Sequence, residues 1–304
     1  MNRRDFMRLS ALSIGTGALL RFVPNAAQAE GIARHLHRAN GEAPQPFSIV
    51  QLSDTHVGFN GPPDPLGTAA FERAVEVINA LDPQPELVLF TGDLTHDSED
   101  PGEHAKRMRT FRDIASRLRA KKRYHVPGEH DAALDGGTLF RENFGETHYS
   151  FDHRGVHFVA IDNVSQGRPI VGPEQVAWLK RDLARYSHST PIVAFTHRPL
   201  FDLKPEWEWF TSDGDDVMSV LAPFEAVTVL YGHIHREHHV TQANAQHHAS
   251  RSLIFSFPDP SAAEKKPLPF DKSDPFKNLG VVEVTSRRIS GTEGVQQLLK
   301  EVSL

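Results

Sequence analysis

The chain has 304 residues, a formal net charge of −6 and no cysteine. The missing thiols exclude disulfides, thiolate zinc sites and cysteine nucleophiles. The acidic balance leaves no basic footprint for nucleic acid or anionic lipid.

Asn2-Arg3-Arg4-Asp5-Phe6 sets paired arginines before a hydrophobic residue, the pattern of a twin-arginine export signal. A mildly apolar stretch over 9–20 and the small-x-small Ala27-Gln28-Ala29 follow. Residues 1–29 are therefore expected to be a signal peptide, removed after export to the periplasm. The apolar part carries Ser10, Ser13, Gly15, Thr16 and Gly17, too short and too polar for a stable transmembrane helix, so the mature chain is expected to have no membrane anchor. Residues 30–46, closed by Pro44 and Pro46, read as a lead-in, and 47–304 as one large domain.

That domain opens on an apolar run over 47–52, dense enough for a strand buried on both faces, and the run ends abruptly in Asp54-Thr55-His56. Apolar spacing then predicts a helix over about 68–81, stopped by Pro83 and Pro85. A strand over 86–90 ends in Thr91-Gly92-Asp93. Asp100 caps the next helix, with Pro101 at its first position and Glu103 placed for a capping box; that helix is expected to reach about 120. A strand over 123–126 runs into Gly128-Glu129-His130-Asp131, and 147–152 with 156–162 read as a hairpin. Gly172-Pro173 starts a helix whose Val176, Trp178, Leu179 and Leu183 are expected in the core. Strands over 191–196 and 227–231 are closed by His197 and by Gly232-His233-Ile234-His235, and further strands are expected over 251–257 and 280–285.

The pattern is strand-then-ligand, five times over. In open α/β sheets, sites gather at the carboxyl ends of strands. A rigid strand can deliver hard oxygen and borderline nitrogen ligands into a loop, so five such ends point to a shared dinuclear metal site. No HExxH zinc helix and no GxSxG elbow competes with it.

The set Asp54-x-His56, Gly92-Asp93, Gly128-Glu129-His130-Asp131, His197 and Gly232-His233-x-His235 resembles the calcineurin-like metallophosphoesterase family. The flanking HYSFDHRGVHFVAID, PEQVAWLKRDL and THRPL look like its cyclic-nucleotide-phosphodiesterase-like branch. The resemblance spans 47–235 and implies an α/β fold of four αββα layers, two mixed β-sheets packed together between helices, with metals at one edge. It implies one ion on Asp54, His56 and His235, a second on His197, His233 and Glu129, and Asp93 bridging them. The ions would be divalent or trivalent, as iron, manganese or zinc, and a metal-bound hydroxide would attack phosphorus in line. His130 would protonate the leaving group, a role suited to an imidazole near neutral pH.

One position departs from the family pattern, which has Asn where this chain has Glu129. Glu can bind a metal, but when ionised it donates nothing and adds a charge that should repel an anionic substrate, a dianionic monoester most. The expected partner is a small or envelope phosphate ester, with oligomeric state left open. Two other readings stand beside the hydrolase: a non-catalytic metal-binding scaffold, and a hydrolase of envelope lipid or glycan phosphate.

Remaining candidates have bland alternatives. His238, His239, His247 and His248 read as exposed strand and turn histidines with no carboxylate partner in view. Trp207, Trp209 and Phe210 could be a lid or packed loop anchors, and the acidic Asp213, Asp215 and Asp216 follow them. Arg198 reads either as an outward-pointing surface residue or as a phosphate contact.

Overall fold

A computed structural model describes residues 47–288 and 295–304; the expected signal peptide and lead-in lie outside them. Two mixed sheets make the frame. The first runs in the order β11 (Val295–Ser303), β10 (Gly280–Arg288), β1 (Phe47–Leu52), β2 (Leu87–Thr91) and β3 (Lys122–Val126). The second runs β4 (Tyr149–His153), β5 (Val156–Ala160), β6 (Ile192–Phe195), β7 (Val227–Tyr231), β9 (Ala245–Ala249) and β8 (His238–Gln242). Strands β1, β2 and β3 are parallel, as are β5, β6, β7 and β9, while β10, β11, β4 and β8 pair antiparallel.

The alternation of side chains across a strand builds the layers. Ile49, Leu87 and Leu89 point inward and meet Phe158, Val193, Phe195 and Leu230 of the facing sheet. Their neighbours Val50, Leu52, Val88 and Phe90 point outward, under Phe71, Val75 and Ile78 of α1 (Ala69–Asn79) and Phe111 and Ile114 of α2 (Pro101–Ser116). On the other flank, Val159, Ala194 and Val229 pack against α5 (Pro173–Leu183) and α6 (Gly214–Leu221). The outcome is the expected αββα sandwich. Every residue of β1 is buried because both of its faces are covered.

Several details differ from the sequence reading. Asp100 does cap α2, accepting from the backbone N–H groups of Gly102 and Glu103. Glu103 does not complete a capping box: its carboxylate turns to Lys106 and Arg107, and the Asp100 N–H donates to Ser98 Oγ instead. The helix stops at Ser116 rather than 120. Residues 251–257 form no strand, since their backbone is pinned elsewhere: Leu253 N–H donates to Asp54 O and Phe257 N–H to His235 O. Trp178 is only half-buried, its ring edge-on to His148. Three short helices were not anticipated: α3 (Glu129–Ala132), α4 (Thr138–Phe144) and α6. No helix among the described residues is long and apolar enough to cross a membrane.

Candidate metal centre

The loops after β1, β2, β3, β6 and β7 meet at one edge of the sandwich and are stitched together through their backbones. Asp54 N–H donates to Gly92 O at 3.0 Å, His56 N–H to Asp93 O at 2.9 Å, and Gly232 N–H to His197 O at 2.9 Å. Two glycines permit this closeness. A Cβ on Gly128 would stand 2.1 Å from Asp93 Oδ1, and one on Gly232 would stand 1.8 Å from Ser53 Oγ.

Asp54, His56, Asp93, His233 and His235 all have positive φ, between 40° and 66°. A non-glycine residue pays on the order of 1–3 kcal/mol for such a backbone and keeps it only where surrounding structure enforces it. Five such residues on three strand ends are the mark of a functional edge.

The side chains fall into two sets that share one carboxylate. Ligand atoms of Asp54, His56, Asp93 and His235 lie within 4.8 Å of one another, and so do those of Glu129, His197 and His233. Asp93 Oδ2 stands 3.3 Å from His56 Nε2 and 3.4 Å from His197 Nε2, between the sets. His235 Nε2 is 3.3 Å from Asp54 Oδ1, and His233 Nδ1 is 2.9 Å from Glu129 Oε1. All seven residues assigned from the sequence are therefore brought together.

The outer ring nitrogens fix the tautomers. His197 Nδ1–H donates to Thr91 O at 2.7 Å, His235 Nδ1–H to Phe255 O at 2.9 Å and His233 Nε2–H to Glu208 O at 3.0 Å. A carbonyl can only accept, so each opposite nitrogen presents a lone pair to the centre. His197 Nε2 and Glu129 Oε2 are buried and face each other at 2.8 Å, yet neither has a partner in hydrogen-bond geometry. Converging lone pairs and orphaned buried acceptors fit cations.

Burial opposes a proton on His197, but the Asp93 and Glu129 carboxylates outweigh it and hold its pKa well above the usual imidazole value, so a cation bound there would take the place of the Nε2 proton. Burial likewise works against charge on Glu129, but His233, His197 and Arg198 hold its carboxyl well below the usual range. Around His56, burial and the neighbouring histidines His130, His235 and His96 push the pKa far down, keeping that ring neutral.

Beside this centre His130 is held from several directions. Its backbone N–H donates to Asp93 Oδ1 at 3.0 Å, its Nδ1 bonds the Asp97 carboxylate, and its ring stacks on His96 at 4.6 Å. Burial lowers its pKa, but Asp93, Glu129 and Asp97 prevail and push it up to about 9. Asp131 anchors the loop below, accepting from the N–H groups of Leu94, Thr95 and Gly128 at 2.8–3.0 Å. Sequence reasoning missed Asp97 and His96, although both sit just past Asp93 in the same loop.

Arg198 is not the outward-pointing residue of one sequence reading. It is 5% exposed, with Nη2 3.2 Å from Glu129 Oε1 and Nη1 donating to Glu208 O at 2.8 Å. An unusual carboxylate next to a buried cation is the signal that could have found it. Trp207 and Trp209 are buried edge-to-face at 4.8 Å, which makes them packed anchors rather than a lid. His247 is fully buried, against expectation, with no partner on either ring nitrogen. His239 does have a carboxylate partner, Glu237 at 2.9 Å, in a network with Arg251.

Fold and cluster together define a phosphoesterase of the metal-dependent class. A profile of the calcineurin-like phosphoesterase family matches residues 47–237, and the chain belongs to that family. It is 24% identical over 222 residues to a 3′,5′-cyclic-nucleotide phosphodiesterase of Nostoc sp., covering 70% of this chain and 80% of that one. It is 26% identical over 202 residues to a probable glycerophosphodiester phosphodiesterase of Arcobacter nitrofigilis, covering 62% and 71%. A dimetal phosphatase from Danio rerio shares the fold with a TM-score of 0.57 and 16% identity, over 84% of this chain and 96% of that one.

Proposed function

We propose that the chain is a dinuclear phosphoester hydrolase, with Asp54, His56 and His235 holding one ion and Glu129, His197 and His233 the other. The observation that carries this reading is Asp93, whose Oδ2 faces His56 Nε2 at 3.3 Å and His197 Nε2 at 3.4 Å. Cations held there, as iron, manganese or zinc, would neutralise charge at the phosphoryl oxygens and acidify a water enough for it to be the nucleophile near neutral pH. The water oxygen forms the new bond to phosphorus as the ester P–O bond breaks. His130, its Nδ1 engaged by Asp97, delivers the Nε2 proton to the departing alkoxide.

A diester is the favoured substrate class. Glu129 adds a third carboxylate to the ligands, and a diester monoanion meets less repulsion there than a monoester dianion. The Nostoc and Arcobacter relatives are named phosphodiesterases, whereas a human relative 31% identical over 144 residues is named a serine/threonine-protein phosphatase, so the diester preference rests on Glu129. The test is metal analysis of purified protein together with a panel of matched monoesters and diesters. The reading requires two metals per chain and diester turnover that chelation abolishes; no turnover of any ester with both metals bound contradicts it.

A further inference from the structure

The two flanks of the centre are unlike. Beside Glu129 stands the buried Arg198. Beside His56 and His235 there is instead a continuous line of rings. His130 stacks on His96 at 4.6 Å, Phe59 meets His96 edge-on at 5.1 Å, and Phe59 and Phe255 lie 5.5 Å apart. Phe257 follows 5.4 Å from Phe255, and both pack against His235, at 4.8 and 5.1 Å.

Phe71, Phe90 and Phe111 under the helices are fully buried, whereas Phe59, Phe255 and Phe257 are each only partly so; Phe257 backs the row, packed against Trp209 with Lys265 over its ring. Contiguous, partly exposed rings beside a reactive centre form a stacking surface. They are also held firmly: the irregular 251–257 segment is tied by the Leu253 and Phe257 N–H groups to Asp54 and His235, and the Phe59 N–H donates to His56 O at 2.9 Å. That is why a stretch of strand-like sequence pairs with no strand.

Its place in the reaction follows from His130. The group that leaves with the His130 proton must depart on the side where His130 stands, and the rings run from that side through His96 to Phe59 and Phe255. We infer that Phe59, Phe255 and Phe257 form the leaving-group subsite, and that the preferred ester releases an alcohol bearing a flat heteroaromatic ring, as a nucleoside does. This rests on the hydrolase reading above and adds the chemistry of the released group. The cleft beside Phe255 is lined by Pro63, Leu268 and Phe270 together with Asp271, Asp274 and Lys277, the last paired with Asp271 at 3.3 Å. Its polar groups suit the ring nitrogens of a base and are a poor match for an acyl chain.

Adenosine 5′-methylphosphate and 1-O-methylribose 5-methylphosphate share the scissile bond and differ in the base. With metal-loaded enzyme, kcat/KM for nucleoside release should exceed that for sugar release on the order of tenfold, the scale of one base stacked on an aromatic side chain. Phe59→Leu and Phe255→Leu keep apolar volume but remove the flat ring, and each should bring the ratio toward unity. A second arm uses calorimetry to measure affinity for analogues of both compounds in which a methylene group replaces the bridging oxygen of the scissile bond, so that neither can be hydrolysed there. Equal kcat/KM for the two esters, or a ratio untouched by both variants, overturns the subsite while leaving hydrolysis intact. Should neither ester turn over, the hydrolase reading fails and the affinities still decide: equal binding overturns the subsite, and tighter nucleoside binding lost in Phe59→Leu upholds it.

Discussion

Arg198 Nη2 stands 3.2 Å from Glu129 Oε1, so the unusual carboxylate at the centre comes with its own counter-charge. Glu129 also contacts His197 and His233, which means one guanidinium and two imidazoles share its negative charge. The sequence suggested a simple repulsive charge. The structure gives a pair, whose balance can be tipped by either partner.

Removing the cation should therefore expose the repulsion. An uncompensated unit charge at about 4 Å is worth roughly 1–4 kcal/mol between the dielectric of water and that of a protein surface. Arg198→Met keeps the apolar stem and should lower kcat/KM for a monoester dianion more than for a matched diester. Adding Glu129→Asn to that variant should restore the ratio. Steady-state rates on the two esters at saturating metal check this; an Arg198→Met enzyme with an unchanged ratio shows that the pair does not face the substrate.

His130 and Asp97 should act as a unit on the leaving group. His130→Ala is expected to keep the metals and to slow esters of poor leaving groups about 10²–10⁴-fold more than p-nitrophenyl esters, the range of general acid catalysis. Asp97→Asn should show the same selectivity to a smaller degree, since it leaves the imidazole but removes the carboxylate that holds it. Rates across a series of leaving-group pKa values give the comparison. Equal losses on good and poor leaving groups mean that His130 positions the ester instead.

His247 offers a pH test away from the centre. Burial and the neighbouring His238 push its pKa down to about 4, against 6.5 for an ordinary imidazole. The unfolded chain then binds a proton that the folded chain refuses between these values. The stability from this neutral ring is complete above pH 6.5 and lost as pH falls toward 4, by at most about 3 kcal/mol. His247→Leu should flatten that part of the profile, measured as urea-unfolding free energy at pH 7, 5.5 and 4. Parallel profiles for the two proteins contradict the assignment.

Most of the frame was legible because its strands are buried on both faces, which writes β1, β2, β6 and β7 as mostly apolar runs that end in ligands. What escaped depends on where backbone groups find partners. The 251–257 segment has strand-like sequence, but its N–H groups go to the ligand loops. Helix α6 hid behind acidic residues that looked like loop; Asp213 is occupied in accepting the N–H groups of Val171 and Gly172, at 2.9 and 2.7 Å. The ligand set followed from the resemblance of the strand-end motifs to the family's, which carries no sign of the left-handed backbone that aims five of them. Arg198 was ambiguous because a cation next to a ligand reads alike whether it faces water or a carboxylate.

Asp93 faces both ligand sets, and the metal content of the Asp93→Asn variant tests whether it joins two ion positions. Elemental analysis of wild-type protein should give two ions per chain. Asp93→Asn should lose most of both, together with nearly all hydrolysis, because an amide lacks the charged oxygen that stands between the two ligand sets. Glu129→Gln serves as the control and should weaken only one position. Two ions retained in Asp93→Asn with ordinary activity would contradict the account.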